Sequence, residues 1–295
     1  MSDYVIKHYH EGFEVDQEKV GKEVAKTFVS PHQTPAERLK EVYTQEGFDP
    51  ETRLYAFKDK KMVGFLTARV LDEEEDGVKI ANLTPPSVLA GHEEAEKLLF
   101  KKAVEILKKK GAKKVRSNFG VITKQDGDVA KKWGYKYKET GYYLYNINVD
   151  DVDTSISMDD VEKFEYDKHQ QACVKILAAE FGREEEWVNN LYERMKADTT
   201  NVRKQWVIKD KDEIKAYGGI MINPIDESLG RVIVTYAASE EYMKKLLAKF
   251  RKVKDKKGLK KLFAGFTKEG DVKEAKYKPI KFELLGTASL FELDL

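Results

Sequence analysis

Lys110-Gly111-Ala112-Lys113-Lys114-Val115 and Lys257-Gly258-Leu259-Lys260-Lys261-Leu262 are nearly the same sequence, and each follows a lysine-rich helical pattern. The two stretches are 147 residues apart, whereas the upstream strands Val78 to Leu83 and Arg231 to Tyr236 align at an offset of 153. A repeat of this length indicates that each copy forms its own folding unit. The chain is therefore predicted to be a tandem repeat whose second copy has lost about six residues between a strand and the following helix.

The length of 295 residues also suits two domains, which we place at residues 1–149 and 159–295 with a polar linker at 150–158. Basic residues number 53 and acidic residues 52, so the formal net charge of +1 provides no overall field to attract nucleic acid or an anionic membrane. No apolar run approaches the ~20 residues of a membrane-spanning helix. The N-terminus does not resemble a signal peptide, and we expect a cytoplasmic protein with no membrane or nucleic acid partner.

Hydrophobic periodicity predicts the elements of the first copy. Thr34-Pro35-Ala36-Glu37 is a capping box, in which Thr34 caps the second helix and Glu37 bonds back to it. Gly111 is expected to end the long helix in a left-handed conformation. The predicted order is a strand at Tyr4–Tyr9, two helices, strands at Leu54–Phe57, Met62–Val70 and Val78–Leu83, a helix at Ala95–Lys110, a strand at Lys114–Phe119, a short helix and a last hairpin.

The strand-helix-strand portion requires a parallel pair at the centre of the sheet, and the second copy repeats the same order. The predicted fold class is α/β: a mixed sheet flanked by helices, present twice. This order, with a short helix that ends at Trp133-Gly134-Tyr135, resembles the GNAT superfamily of N-acetyltransferases over both copies. The resemblance implies an N-acyltransferase that uses acetyl-CoA as its cofactor and acts on the amine of a small molecule or a peptide.

In that family the strand-to-helix loop carries an Arg or Gln followed by Gly-x-Gly or Gly-x-Ala, and its amides hold the pyrophosphate of acetyl-CoA. Exposed N–H groups at the positive end of a helix dipole form an anion site. Placing Leu98-Leu99 on the paired leucines of the family puts Ala90 on the Arg or Gln position and Glu93 on the first glycine. The resemblance thus implies a cofactor site formed by Leu83, Thr84, Ala90, Gly91, His92, Glu93, Glu94, Ala95 and Thr123.

Glu93 and Glu94 put negative charge where the family binds phosphate, at an expected cost of about 1 kcal/mol each. His92 and Lys97 are expected to offset part of this cost. The alternative interpretation is that Gly91 forms a turn and the two glutamates favour the start of the helix, as acidic residues do. The sequence leaves both interpretations open.

The second copy runs directly from strand to helix through Thr235-Tyr236-Ala237-Ala238-Ser239, and Ser239 is predicted to cap the helix where a phosphate loop would lie. We therefore expect no cofactor there. The tyrosine with which family members often protonate the leaving thiolate falls on Ala130 in the first copy and on Tyr277 in the second. Tyr277 is thus a candidate acid or a packed surface aromatic, and Asn82 is a candidate for polarising the acyl carbonyl. No general base is evident.

Other polar patterns have less specific interpretations. His8 and His10 form either a metal pair or a solvated strand face, and without a further ligand at suitable spacing we expect no metal. The acidic stretch 72–76 either attracts a basic substrate or is a solvated turn. The helix Lys244 to Lys261 is amphipathic, with RNA contact as its alternative, and Cys173 is expected in an apolar core. The second function that the sequence allows is a catalytically inactive binding or scaffold protein on this fold.

Overall fold

The computed structural model describes residues 3–75, 77–120, 127–198, 201–266 and 281–295. The chain divides into two compact units, unit 1 (Met1–Tyr142 with Gly286–Leu295) and unit 2 (Tyr143–Leu285). From the N-terminus through the strand that enters unit 2, the elements are β1 (Val5–His8), α1 (Phe13–Ala25), α2 (Ala36–Tyr43), β2 (Arg53–Lys58), β3 (Lys61–Glu75), β4 (Val78–Leu83), β5 (Ser87–Val88), α3 (Glu93–Lys109), β6 (Lys114–Gly120), α4 (Gly127–Lys132) and β7 (Lys136–Asn148).

The remaining elements are β8 (Val161–Lys163), α5 (Tyr166–Phe181), α6 (Glu185–Ala197), β9 (Arg203–Asp210), β10 (Glu213–Ile222), β11 (Leu229–Ala237), α7 (Glu240–Lys257), β12 (Lys261–Phe266) and β13 (Lys281–Asp294). Mixed sheets flanked by helices confirm the predicted α/β class. Within the described ranges, every helix is too short or too polar to span a bilayer.

Unit 1 is built on a sheet in the order β1-β2-β3-β4-β6, followed by residues 286–294 of β13 and residues 136–142 of β7. β4 and β6 form the parallel pair that the sequence predicts, with Ile80, Ala81 and Asn82 opposite Lys114, Val115 and Arg116. α3 covers one face of this sheet, and α1 covers the other over β2 and β3. The buried core under α3 includes Ala81, Leu83, Ala95, Leu99, Ala103, Leu107, Val115 and Phe119.

The predicted hairpin at the end of the first copy is wrong. The strand beside β6 comes from the end of the chain, with Ala288 to Asp294 antiparallel to Gly120 to Lys114. β7 runs from Lys136 to Asn148 without a turn, and Gly141 within it does not have a positive φ. Its first part lies in unit 1 and its second part in unit 2, so the limits of the compact units differ from the sequence limits 1–149 and 159–295.

Unit 2 has the order β8-β9-β10-β11-β12, followed by residues 143–148 of β7 and residues 281–285 of β13. β11 and β12 are its parallel pair, matched at Leu229 to Arg231 and Lys261 to Phe263. α7 packs Leu246, Leu247 and Phe250 on one side of this sheet. α5 and α6 pack on the other side, where Cys173 is buried as expected and burial raises the pKa of its thiol to about 12.

Two helix ends that depend on one local residue are as the sequence predicts. A third, which depends on a contact with another helix, is not. Gly111, just after α3, has a φ of 87°, and Ser239 accepts a hydrogen bond from the amide of Tyr242 at 3.4 Å. The capping box of α2 is wrong, because the capping position is Pro35 and no side chain caps the helix from it. The amide of Ala36 instead donates to Oε2 of Glu18, on α1, at 2.7 Å.

Candidate cofactor site in unit 1

The site begins where β4 and β6 stop pairing. The parallel register ends at Asn82 and Arg116, β4 ends at Leu83, and β6 continues to Gly120. Ser117 Oγ donates to the carbonyl oxygen of Leu83 at 2.6 Å and lies 2.8 Å from the hydroxyl oxygen of Tyr135. The carbonyl of Leu83 therefore already has a partner at the point where the strands part.

Ser117 and Tyr135 are 2% and 3% exposed, respectively, so two hydroxyl groups are buried at this point. Burial raises the pKa of Tyr135 to about 12, although its hydrogen bond with Ser117 lowers the pKa in part. Tyr135 is consequently a weaker acid than a free tyrosine and holds its proton at neutral pH. Sequence reasoning missed this pair, and the available signal was Tyr135 itself, which follows Trp133-Gly134 at the end of the short helix.

The loop from Thr84 to Leu89 is held on β3. The amide of Thr84 donates to the carbonyl of Thr67 at 2.9 Å, and the two threonine hydroxyl oxygens are 2.8 Å apart. β5 pairs with β3 so closely that a Cβ on Gly64 would lie 2.7 Å from Cγ2 of Val88. Only Ala90, Gly91 and His92 then connect this anchored segment to α3.

The amide of Gly91, in the loop predicted to bind an anion, has a carboxylate of this chain as its partner. Gly91 has a φ of 84°, and its amide donates to Oε1 of Glu93 at 3.0 Å. Hydrogen bonds from the amides of Glu93 itself and of Gly91 lower the pKa of this carboxyl. The side chain of Glu93 thus accepts from two backbone amides at the start of α3.

The other predicted cofactor residues have different surroundings. His92 faces Tyr4, whose hydroxyl lies 2.9 Å from Nδ1 of the histidine. Ala95 is 0% exposed and packs in the core, while its amide donates to the carbonyl of His92 at 2.9 Å. Ala90 and Glu94 are exposed beside Gly91. The structure therefore joins Gly91 and Glu93 by a hydrogen bond and buries Ala95 in the core.

The candidate catalytic residues are only partly described. Asn82 is exposed, on the sheet face opposite the buried side chain of Leu83. Thr123 and Tyr277 lie outside the described residues. Ala130, which the alignment placed at the acid position of unit 1, is fully buried in the core. The roles of Asn82 and Tyr277 remain predictions.

A charged cluster lies on the same sheet face as Asn82. Glu292 of β13 accepts from Nε of Arg116 at 2.8 Å and from Nζ of Lys138 at 2.9 Å, and Lys114 lies 3.5 Å away. Burial raises the pKa of Glu292, but the hydrogen bonds from Lys138 and Arg116 outweigh it and bring the pKa to about 2. Glu292 is therefore ionised at neutral pH, and its low basicity makes it a poor general base.

The connection between β11 and α7 in unit 2 is too short to form a comparable loop. β11 ends at Ala237 and α7 begins at Glu240, so only Ala238 and Ser239 connect them. The hydroxyl of Ser239 accepts from the first turn of α7, as the sequence predicts. A cavity of about 400 Å³ in unit 2 lies between α5 and α6, and none of its lining residues belongs to the predicted site.

The histidines near the N-terminus are not arranged as a metal site. Nδ1 of His8 lies 3.0 Å from the carbonyl oxygen of Glu51, and Nδ1 of His10 lies 2.8 Å from that of Glu11. Across the described ranges, no group of three metal-ligating side chains occurs.

Solved structures with the same fold cover nearly the whole chain. The chain therefore has the fold of the GNAT N-acetyltransferases. A tandem GNAT protein from the clavulanic acid biosynthesis pathway, solved without AcCoA, superposes with a TM-score of 0.63 at 12% identity, over 99% of this chain and 98% of that one.

Two further structures support the same fold. An acetyltransferase of the GNAT family from Colwellia psychrerythraea gives a TM-score of 0.62 at 16% identity, over 98% of this chain and 100% of that one. A GCN5-related N-acetyltransferase from Sphaerobacter thermophilus gives a TM-score of 0.57 at 11% identity, over 100% of this chain and 96% of that one. No protein-family profile matches the amino-acid sequence. No curated protein matches it either.

Proposed function

We propose that the chain is an acyl-CoA-dependent N-acyltransferase, with acetyl-CoA as the expected cofactor, that acts on the amine of a small molecule or a peptide. The observation that carries the proposal is the amide of Gly91, which binds a carboxylate at the start of α3, the helix that follows β4 and β5. This arrangement supports pyrophosphate binding in unit 1. In unit 2, Ser239 takes the corresponding place.

The side chains of unit 1 suit this role in different ways. The amides of Gly91 and Glu93 would hold the pyrophosphate once the exposed side chain of Glu93 turns into solvent. A bound acyl-CoA supplies the acyl group as a thioester. Tyr135, next to Ser117, does not replace the missing tyrosine at Ala130, because it is 3% exposed and its raised pKa makes it a weak acid.

Thermal unfolding in the presence of acetyl-CoA tests cofactor binding. A ligand at 100 times its Kd adds about 2.7 kcal/mol to the free energy of unfolding, which is a clear rise in Tm. We expect such a rise with millimolar acetyl-CoA and a smaller one with adenosine, which has no pyrophosphate. An unchanged Tm at millimolar acetyl-CoA contradicts the proposal.

A second candidate function is that of a binding or scaffold protein without acyl transfer. One observation favours it: the position expected for the acid is a buried alanine, Ala130. Thiol release from acetyl-CoA, measured with a panel of primary amines and lysine peptides, separates the two candidates. Binding of acetyl-CoA without thiol release from any amine supports the scaffold function. A cytoplasmic location and the absence of a nucleic acid partner remain predictions.

A further inference from the structure

The carboxylate of Glu93 and a phosphate oxygen have the same requirement, an N–H donor at the start of α3. Glu93 is in the first turn of the helix and reaches back two residues to the amide of Gly91 at 3.0 Å. Glu94, its neighbour, is equally exposed and has the same charge, but no hydrogen bond joins it to Gly91 in the described structure. The two glutamates therefore differ in contact and not in charge.

We infer that Glu93 determines the affinity of this site, because its carboxylate competes with the pyrophosphate of the cofactor for the amide of Gly91. This inference rests on the proposed function, and it names the residue that limits the affinity for the cofactor. A hydrogen bond from an amide to a charged acceptor is stronger than one to a neutral acceptor, so the bond must be given up before a phosphate takes its place. In the chain without ligand, the carboxylate of Glu93 therefore occupies the amide of Gly91.

The experiment compares wild-type protein, Glu93→Gln and Glu94→Gln. Both variants remove one negative charge from the first turn of α3, and only Glu93→Gln weakens the bond to Gly91. Titration calorimetry with CoA and with inorganic pyrophosphate measures affinity. We expect Glu93→Gln to tighten CoA binding by roughly tenfold and Glu94→Gln by about threefold or less, since only the first removes a competing ligand as well as a charge.

A second measurement reports the contact itself without any ligand. In protein labelled with ¹⁵N-glycine, the amide resonance of Gly91 is expected to shift in Glu93→Gln and to stay nearly unchanged in Glu94→Gln. An unshifted Gly91 resonance in Glu93→Gln overturns the inference. Equal gains in CoA affinity for the two variants also overturn it, because charge alone then explains the effect.

The same titrations keep the two proposals apart. CoA binding by wild-type protein that Glu93→Gln leaves unchanged overturns the role of Glu93 and leaves acyl transfer intact. Pyrophosphate binding to Glu93→Gln without CoA binding supports the role of Glu93 and contradicts the acyl-CoA function. Binding of neither probe by any of the three proteins overturns both.

Discussion

The amide of Gly91 donates a hydrogen bond to the carboxylate of Glu93, two residues further along the chain. A carboxylate at a helix N-terminus favours the helix, so α3 gains from this contact when no ligand is present. The sequence offered helix stabilisation and phosphate binding as alternatives, yet the amide of Gly91 at 3.0 Å from Glu93 is compatible with both. The bond could not be predicted from the sequence because it depends on the rotamer of one side chain.

Replacement of Gly91 by alanine should weaken cofactor binding. Gly91 has a φ of 84° and nothing lies within 4 Å of an added Cβ, so the cost is backbone strain of about 1 kcal/mol. Gly182, after α5 in unit 2, is the matched control, with a φ of 58° and equally open surroundings. Both variants should lose similar unfolding free energy, and only Gly91→Ala should bind acetyl-CoA more weakly in calorimetry. Equal weakening in Gly182→Ala contradicts the placement of the site.

Glu292 should protect the fold against acid. Its pKa is about 2 in the folded protein and 4.5 in an unfolded chain, so its contribution is full above about pH 4.5 and is lost as the pH falls towards 2. The shift corresponds to at most about 3 kcal/mol at neutral pH. Urea unfolding of Glu292→Gln should show lower stability at pH 7 and a flatter decline below pH 4.5.

Asp294→Asn is the control for Glu292, because the Lys136–Asp294 pair at 3.1 Å is largely exposed and contributes little. An acid decline in Glu292→Gln as steep as in the wild type would show that the cluster around Glu292 does not stabilise unit 1.

The elements show which parts of the fold depend on local sequence. Periodicity was sufficient for the long helix α3 and its end at Gly111, and for the strand β4. It was not sufficient for β5, whose two residues are too few for an alternating pattern. The capping box failed because the amide of Ala36 takes Glu18 of a different helix as its partner, a contact that no local motif encodes.

The start of α5 should be sensitive to pH. Nδ1 of His169 accepts from the amide of Glu165 at 2.9 Å, and burial, followed by the charge of Lys209, lowers the pKa of this histidine. The unfolded chain then binds more protons, so stability present above about pH 6.5 is lost as the pH falls through the lowered pKa.

His169→Asn keeps an acceptor for the amide of Glu165 but cannot take up a proton. Thermal unfolding between pH 7.5 and 5 should show a smaller loss of stability in this variant than in the wild type. His8→Asn, at an exposed histidine, is the control and should behave as the wild type. The same loss in His169→Asn as in the wild type is the contrary result.

Unit 1 depends on the last ten residues of the chain. Residues 288–294 pair with β6 from Gly120 to Lys114, and they bring Phe291 into the core and Glu292 to its three cations. The repeat in the sequence could not reveal this arrangement, because a repeat shows which segments are alike and not which sheet each one joins. A chain that ends at residue 285 should therefore leave the edge of β6 without a partner.

Removal of residues 286–295 should lower the unfolding free energy by several kcal/mol, since it removes a partly buried strand together with its backbone hydrogen bonds to β6. A synthetic peptide of residues 286–295 should bind the shortened chain and raise its Tm, whereas the same peptide with Glu292→Gln should bind more weakly. Unchanged stability of the shortened chain would contradict the assignment of these residues to unit 1.

The central claim is that one unit of this chain binds an acyl-CoA and the other does not. Hydrogen exchange measured by mass spectrometry, with and without acetyl-CoA, tests it most directly because it reports both units at once. We predict slower exchange in residues 84–95 and no change in residues 235–243. Slower exchange in residues 235–243, or no change in either segment at saturating acetyl-CoA, would contradict the account.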